Sequence, residues 1–269
     1  GKVTGVKTNR SYFFDAVIIA TGGMSYQRTG SDGFGYRLAK EAGHTVTEII
    51  PSLVPLEIKG DDCRAMQGLS LKNVALSIFD KASGKLVYED FGEMMFTHFG
   101  VTGPMILSAS SHLRGVDISK LTLYIDLKPA LDEQTLDKRL LRDFEKYKNK
   151  QIANALVELL PQKMIMPILS FAGISAVKSV NSITKEERLR LAQVVKAVPL
   201  KLRSLRGFEE AIITSGGVNL SEINPKTMES KKISGLKFCG EVLDVDAFTG
   251  GFNMQIAFST GYAAGKSII

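Results

Sequence analysis

Residues 15–23 have the sequence DAVIIATGG. A charged residue precedes a short, continuous apolar run, and the run ends in Thr-Gly-Gly. A run that is apolar on both faces is typical of a fully buried strand in a parallel sheet. Glycines directly after such a strand let a ligand approach the backbone. The stretch therefore predicts a strand of a nucleotide-binding domain, although only fourteen residues precede it.

The composition is that of an ordinary globular protein. Of 269 residues, 44% are hydrophobic and 23% are charged, which is sufficient for a hydrophobic core. No apolar run approaches the ~18 residues of a membrane-spanning helix, and the first ten residues lack the apolar segment of a signal peptide. Cys63 and Cys239 have neither metal-ligand nor redox spacing. We therefore expect a cytoplasmic protein with no membrane contact and no bound metal.

The formal net charge of +6 is compatible with an anionic ligand or a nucleic acid. The basic residues are spread out, however, and many lie in residues 138–206 beside acidic residues on expected helix faces. This pattern favours a solvated helix surface over a nucleic-acid patch. Nucleic acid is therefore unlikely as a partner, and a small molecule is favoured.

Three kinds of pattern follow the opening stretch. Short alternating apolar runs between residues 56 and 127 predict an antiparallel sheet or barrel. Residues 130–200 predict helices: Asp132 can cap one of them, and Thr184 with Glu187 forms a capping-box pattern for another. The chain then returns to short strands and ends in a strand, a long loop, Gly-Gly and a final helix.

The C-terminal stretch FCGEVLDVDAFTGGFNMQIAFSTGYAAG is the strongest sign of a ligand. Gly240 ends a predicted strand, and Gly250 and Gly251 lie directly before a helix that begins near Phe252. Unpaired N–H groups and the dipole at a helix start attract an anion. Small residues at every fourth position predict one tightly packed helix face: Ala257, Gly261 and Gly265. A glycine-rich turn before a packed helix, with no ligand, is the alternative.

Six motifs resemble, in the same order, those of one protein family. They are DAVIIATGG, TGSDGFGYRLAKEAGH, FTHFGVTGP, TSGGV, INPKTMES and FCGEVLDVDAFTGGFNMQIAFSTGYAAG. On these motifs the chain is identified as a member of the HI0933-like (YhiN-like) family of bacterial NAD(P)/FAD-dependent oxidoreductases, whose members include aminoacetone-oxidase-like flavoproteins. The resemblance extends from about residue 3 to residue 269.

The resemblance implies an α/β fold, α+β overall. A two-dinucleotide-binding FAD domain would be interrupted by an antiparallel β-barrel-like domain and a helical subdomain. The expected boundaries are 1–52 and 219–269 for the FAD domain, 53–128 plus about 202–218 for the barrel-like domain, and 129–201 for the helical subdomain.

One part of the family pattern does not occur in this sequence. The family begins with a strand and a G-x-G-x-x-G turn that holds the FAD pyrophosphate, and the nearest stretch here, GSDGFG, has the wrong spacing. We infer that the first βαβ unit of the FAD domain is missing from this chain, and whether it is deleted or merely lies outside the chain is left open. We expect this chain alone to bind FAD poorly and to be inactive.

The resemblance also implies the cofactor contacts. Of Asp244 and Asp246, one would bind the ribityl chain, and which one is left open. The start of the last helix would stabilise negative charge on the reduced flavin. The expected FAD-binding residues are Thr21, Gly22, Gly23, Gly240, Glu241, Asp244, Asp246, Gly250, Gly251, Phe252 and Asn253. An ordinary strand-ending turn is the alternative for the first three.

His98 in FTHFGVTGP is the candidate catalytic residue, because a neutral imidazole can act as acid or base near pH 7. A structural histidine bonded to backbone is the alternative. Two further loops are expected over the flavin or substrate, one with Thr102 and Gly103 and one with the three residues Thr214, Gly216 and Gly217.

The leading functional hypothesis is an FAD-dependent oxidoreductase that moves hydride between NAD(P)H or oxygen and a small organic substrate. A tRNA-modifying flavoprotein is the second hypothesis, motivated by the positive charge. A non-catalytic fragment without FAD is the third. The sequence specifies neither the substrate nor the oligomeric state.

Overall fold

The computed structural model describes residues 1–268, in which the chain divides into two compact units. Unit 1 comprises Gly1–Val54 and the residues from Arg206 onward, and unit 2 comprises Pro55–Leu205. Unit 2 is therefore inserted, along the sequence, between the two halves of unit 1. No helix in the described part of the chain is both long and apolar enough to cross a bilayer.

The first half of unit 1 consists of short strands and one helix. They are β1 (Gly5–Lys7), β2 (Ser11–Phe13), β3 (Val17–Ile19), α1 (Phe34–Glu41) and β4 (Ile50–Ser52). β1 and β2 form an antiparallel hairpin around the turn at Asn9 and Arg10. Helix α1 ends just before Gly43, whose φ of 79° gives the left-handed turn that commonly follows a helix.

Unit 2 is built on a closed barrel. Its elements are β5 (Leu56–Ile58), α2 (Asp62–Ala65), β6 (Ser70–Asp80), β7 (Leu86–Phe96), β8 (Gly100–Thr102), α3 (Pro104–His112), β9 (Leu121–Asp126), α4 (Glu133–Lys146), α5 (Ile152–Ala155), α6 (Gln162–Ala172), α7 (Lys185–Lys196) and β10 (Val198–Leu205). The strands follow one another around the barrel in the order β10, β5, β8, β7, β6, β9. All adjacent pairs are antiparallel. The barrel expected from the alternating apolar runs is therefore confirmed.

The helices of unit 2 pack on the barrel. Leu136 and Leu140 of α4 and Leu191 of α7 belong to the same buried cluster as Leu76 and Ile78 of β6. Strands and helices thus share one hydrophobic core, and the division into a barrel-like domain and a helical subdomain stays a prediction.

Two helices of unit 2 begin at the N-cap residues that the sequence predicts. Asp132 Oδ1 accepts a hydrogen bond from the N–H of Thr135 at 2.7 Å. At the start of α7, Glu187 N–H donates to Thr184 Oγ1 at 3.2 Å, and Thr184 N–H donates to Glu187 Oε2 at 2.8 Å. Both predicted caps are confirmed, because capping depends on residues only three positions apart.

The second half of unit 1 completes the sheet contacts of the first half. It contains β11 (Ile213–Ser215), β12 (Leu236–Phe238) and α8 (Phe252–Lys266). β11 pairs antiparallel with β4. β12 pairs in parallel with β3, so that Leu236 lies opposite Val17 and Phe238 opposite Ile19. The stretch DAVIIATGG is thus paired with the C-terminal stretch that contains FCGEV, as expected if both belong to one FAD-type domain, and the mixed α/β fold class is confirmed.

Three local predictions are wrong. Strand β3 is not buried on both faces, since Ile18 is 37% exposed and β3 pairs only with β12 among the described strands. The apolar spacing from Ile152 to Leu160 predicts one helix that stops before Pro161, but the helix ends at Ala155 and the chain continues as tight turns, which Pro161 favours. The small-residue face of α8 is not tightly packed, because a Cβ built at Gly261 meets no atom within 4 Å.

Candidate functional site

The loops that follow β3 and β12 lie against β11 in unit 1. Parallel strands such as β3 and β12 end at the same edge of their sheet, which brings the loops after them together. Thr214 of β11 joins them: its Oγ1 accepts the N–H of Met24 at 2.8 Å and lies 3.0 Å from Ser25 Oγ. Glu241, after β12, accepts the N–H of Thr214 at 2.7 Å. Thr214 and Glu241, both predicted site residues, are thus in contact, and together they join the loop after β3 to the loop after β12.

Glycine is required where these loops touch. A Cβ on Gly23 would lie 2.6 Å from Glu241 Oε1 and would overlap the Thr214 hydroxyl. A Cβ on Gly217 would lie 2.6 Å from the Leu243 carbonyl carbon, and one on Gly216 would overlap a backbone oxygen. The close approach of the loops explains these predicted glycines without any ligand.

Tyr36 of α1 is a member of this network that the sequence analysis missed. Its hydroxyl donates to the Glu241 carbonyl oxygen at 3.2 Å. Burial, and then the negative charge of Glu241, raise the pKa of Tyr36 well above its ordinary value. The phenol therefore stays protonated and remains a donor. No local signal distinguishes Tyr36 from an ordinary buried aromatic residue of α1.

The two candidate acids have different surroundings. Asp246 accepts hydrogen bonds from Ser52 Oγ at 3.2 Å and from Ser215 Oγ at 3.0 Å, so its carboxylate ties β4 to β11. Asp244 lies two residues earlier and is half-buried, with its backbone N–H donating to Val218 at 3.0 Å. No side-chain hydrogen bond of Asp244 occurs among residues 1–268. The Asp244 carboxylate therefore keeps its capacity to accept hydrogen bonds, and which of the two acids would bind a ligand stays a prediction.

The turn before α8 is open. Gly250 and Gly251 have φ angles of 111° and 88°, and a Cβ on Gly251 would meet no atom within 4 Å. Phe252 is exposed. The Asn253 side chain is engaged within the loop, since it accepts from the N–H and donates to the carbonyl of Ala247, both at 2.8 Å. The start of α8 therefore offers uncapped N–H groups and free space, which suit a polar or anionic ligand group.

Gly240 connects β12 to α8. Its N–H donates to Thr260 Oγ1 at 2.9 Å, and the same hydroxyl donates to the Ile256 carbonyl at 2.8 Å. This contact holds the middle of the helix against the end of the strand. Near the other end of the site, the Thr21 hydroxyl packs on Gly35, where a Cβ would overlap it. Gly22 has a φ of 72°, which the turn after β3 requires.

His98 and the loop with Thr102 and Gly103 lie in unit 2. His98 is exposed in the turn between β7 and β8, with its ring centroid 5.0 Å from that of Phe99. A Cβ on Gly103 would lie 2.9 Å from the Met94 Cα, so this glycine lets the start of α3 pack on β7. The catalytic role of His98 and the loop contacts stay predictions.

A second polar cluster in unit 1 surrounds the buried His44. Its Nδ1 lies 2.8 Å from Glu222 Oε2, and its Nε2 lies 2.8 Å from Ser230 Oγ. The order Ser–His–Glu occurs in hydrolases. Here, however, Ser230 Oγ accepts the N–H groups of Lys232 and Ile233 at 3.0 and 2.9 Å and is buried. The cluster therefore stabilises the loop around Ser230, and Ser230 is not placed to act as a nucleophile.

Both cysteines are free and buried. Burial, and then the charge of Asp62, raise the pKa of Cys63 to about 12, and burial also raises the pKa of Cys239. Thiols of this kind react slowly. In the described part of the chain, no three His, Cys, Asp or Glu side chains are grouped as metal ligands would be.

The parallel β3–β12 pair, followed by glycine turns and helices, places the protein in the class of Rossmann-type α/β proteins. The family model described as the HI0933-like protein Rossmann domain matches residues 1–267. The chain therefore belongs to this family, as its motifs predict.

Curated relatives match almost the whole chain. The 3-dehydro-bile acid delta(4,6)-reductase of Clostridium scindens is 30% identical over 255 residues, which cover 94% of this chain and 62% of that protein. The ribosomal RNA dihydrouridine synthases of Haemophilus influenzae and Escherichia coli are 31% and 28% identical, over 94% and 95% of this chain and 60% and 61% of their own lengths. The chain thus spans about three-fifths of each relative. Together with the family, the bile acid reductase supports a flavin-type oxidoreductase in general.

Proposed function

We propose that this chain is part of a flavin-dependent reductase that saturates a carbon–carbon double bond conjugated to a carbonyl group. The names of the relatives share this chemistry. A Δ4 bond beside a 3-keto group is an enone, and dihydrouridine is uridine whose ring double bond, conjugated to C4=O, has been saturated. A steroid and an RNA base differ in almost everything except this conjugated double bond. We therefore take the bond type as what the substrates have in common.

The main support for the flavin site is the open glycine turn at the start of α8, and the Asp244 carboxylate, which makes no side-chain hydrogen bond among residues 1–268, is its proposed polar partner. FAD, when bound and reduced by NAD(P)H, would supply a hydride to the electron-poor carbon of the double bond, and a proton from solvent would complete the saturation at the neighbouring carbon. Asp244 would accept a hydrogen bond from a cofactor hydroxyl. The uncapped N–H groups after Gly251 would face a site where negative charge develops, and the helix dipole favours that charge.

Other predicted contacts take a supporting role in this proposal. Glu241 and Asp246 position the loops through Thr214, Ser52 and Ser215. Thr21, Gly22 and Gly23 would line the same edge through their backbone. NAD(P)H as the source of electrons and a small organic substrate remain parts of the proposal.

The test uses the complete gene product that contains this chain. It is titrated with FAD and then mixed anaerobically with NADH or NADPH and a cyclic enone. We expect flavin reduction by one nicotinamide and reoxidation by the enone. Asp244→Asn should weaken FAD binding about 10-fold, because a neutral amide oxygen is a weaker acceptor than a carboxylate. Glu209→Gln, at an exposed position of unit 1, is the matched control. A complete product that binds no FAD would refute the proposal.

A second form of this function, reduction of a base within RNA, is favoured by one observation. Unit 2 carries 22 Lys and Arg against 17 Asp and Glu, whereas unit 1 carries 12 against 11. The positive excess is therefore concentrated in one unit rather than spread over the chain. Two of the relatives are named for ribosomal RNA. Our expectation that nucleic acid is unlikely as a partner stays an untested prediction.

A further inference from the structure

Unit 2 presents two adjacent hollows on either side of the loop between β9 and α4. One has a volume of about 560 Å³ and is lined on its far side by Lys72, Asn73 and Phe91. The other, of about 410 Å³, is lined by Lys138, Arg139 and Arg142 of α4. Leu131 borders both. We refer to the two hollows together as the basic groove.

The loop between the hollows is held in one conformation. Lys196 Nζ donates to the carbonyl oxygens of Lys128 and Leu131 at 3.0 and 2.6 Å and lies 2.6 Å from Asp126 Oδ2. Asp126 Oδ1 accepts the N–H of Lys128 at 2.8 Å. The ammonium group of Lys196, whose side chain is 18% exposed, thus fixes the loop, and Lys128 of this loop lines the first hollow. Such preorganisation lowers the entropic cost of binding.

Positive charge dominates the groove. Arg139 and Arg142 share one carboxylate, Asp143, at 2.7 and 3.6 Å, and the Asp143 side chain is only 4% exposed. Burial, and then the positive charge of Arg139, lower the pKa of Lys128. Lys72 faces Glu93 at 3.8 Å, and both side chains are well exposed, so this pair is weak. An anion could therefore displace it at little cost.

The first hollow also has features that phosphate binding alone would not need. Phe91 on β7 is 59% exposed, although aromatic side chains are usually buried. Asn73 has a φ of 55° at an irregularity in the β6–β7 register. Bulges and left-handed residues of this kind often lie at functional sites. An exposed ring provides a surface for base stacking, and an amide can pair with a base edge.

We propose that the basic groove binds single-stranded RNA, with a base stacked on Phe91 and the backbone phosphates on Lys72, Lys128 and the α4 cations. Stacking on an exposed ring requires unpaired bases, which excludes a duplex as the preferred ligand. A protein partner with an acidic surface would need the cations but not the ring. The proposal rests on the RNA-directed form of the proposed function, but it is tested without any flavin chemistry.

The test is fluorescence anisotropy with the full chain and a labelled 12-nucleotide uridine-rich RNA. Phe91→Ala should weaken binding about 5- to 160-fold, the range for loss of one base–aromatic stack. Met166→Ala is the matched control, because Met166 is an equally exposed apolar residue of unit 2 outside the groove. Lys72→Gln combined with Lys128→Gln should reduce the slope of log affinity against log salt by about 1.4, or roughly 0.7 per phosphate. Lys185→Gln should leave the slope unchanged.

Circular dichroism of each variant establishes that the barrel is intact. Unchanged RNA affinity in a folded Phe91→Ala variant would overturn the proposal, and so would equal affinity for double-stranded RNA or for single-stranded DNA of the same sequence. An acidic peptide that competes with RNA regardless of the Phe91 substitution would assign the groove to a protein instead. If the gene product binds RNA through Phe91 but does not bind FAD, the groove proposal stands while the reductase proposal fails.

Discussion

The carboxylate of Glu241 accepts the backbone N–H of Thr214 at 2.7 Å, although Thr214 lies in β11 and Glu241 follows β12. Thr214 is only 1% exposed, so its N–H has no access to water if the carboxylate is removed. Glu241→Ala should therefore lower the free energy of unfolding by about 1–3 kcal/mol, the cost of a buried unsatisfied donor. Glu241→Gln should cost less, because its amide oxygen can still accept. Urea unfolding measures both, and equal losses would show that this hydrogen bond is not the main contribution of Glu241.

Two glycines of unit 1 should respond in opposite directions to the same substitution. Gly23→Ala places a methyl group 2.6 Å from Glu241 Oε1 and should destabilise the protein by about 1–3 kcal/mol through overpacking. Gly261→Ala adds a methyl group to the open face of α8 and should stabilise by about 0.5–1 kcal/mol, because alanine favours the helix. Thermal unfolding of the two variants tests the difference in sign.

Substitutions of Asp244 and Asp246 should have different effects: one should weaken ligand binding and the other should lower the stability of the fold. Asp246→Ala removes the shared acceptor of Ser52 and Ser215 and should lower the free energy of unfolding by about 1–3 kcal/mol. Asp244→Asn should leave unfolding nearly unchanged while weakening FAD binding. Parallel urea melts and FAD titrations on the complete gene product make the comparison. A large loss of stability in Asp244→Asn would contradict the assignment.

Glu222 predicts a pH dependence of stability. The hydrogen bond from Lys232, followed by those from Thr45 and His44, lowers the pKa of Glu222 to about 2, below the ordinary value of about 4.3. The folded state thus favours the ionised form, and its contribution is complete above about pH 4.5 and is lost as pH falls towards 2. Glu222→Gln should be less stable than the parent at pH 7 and should show a flatter decline between pH 5 and 2. The exposed Glu145→Gln is the control, and unfolding curves at each pH provide the measurement.

Signals confined to a few residues predicted the structure well. The caps at Asp132 and Thr184 depend on neighbours three positions away, and the alternating runs predict barrel strands because one strand face is buried. Pro199 shows the limit of such signals. The sequence pattern predicts only that Pro199 ends the helix begun at Thr184, yet Pro199 lies inside β10 opposite Tyr124, because pairing with distant strands decides whether a proline is accepted.

The candidate site was predictable in its residue types but not in their roles. The motifs identify Glu241, Asp244 and Asp246 as candidates, whereas only the fold shows that Asp246 binds two serine hydroxyls and that Glu241 binds Thr214. Tyr36 and Ser25 join the network through contacts with distant parts of the chain. No pattern in the sequence records such contacts.

Closure of the barrel has a consequence for how the chain matures during synthesis. β10 pairs with both β5 and β9, yet it is made after all the helices of unit 2. Until it emerges from the ribosome, the edges of β5 and β9 present unpaired backbone groups on which other strands could aggregate. Long-range pairing of this kind also slows folding. The nascent chain is therefore most vulnerable while α4 to α7 are being translated, the interval in which a chaperone would have the greatest effect on yield.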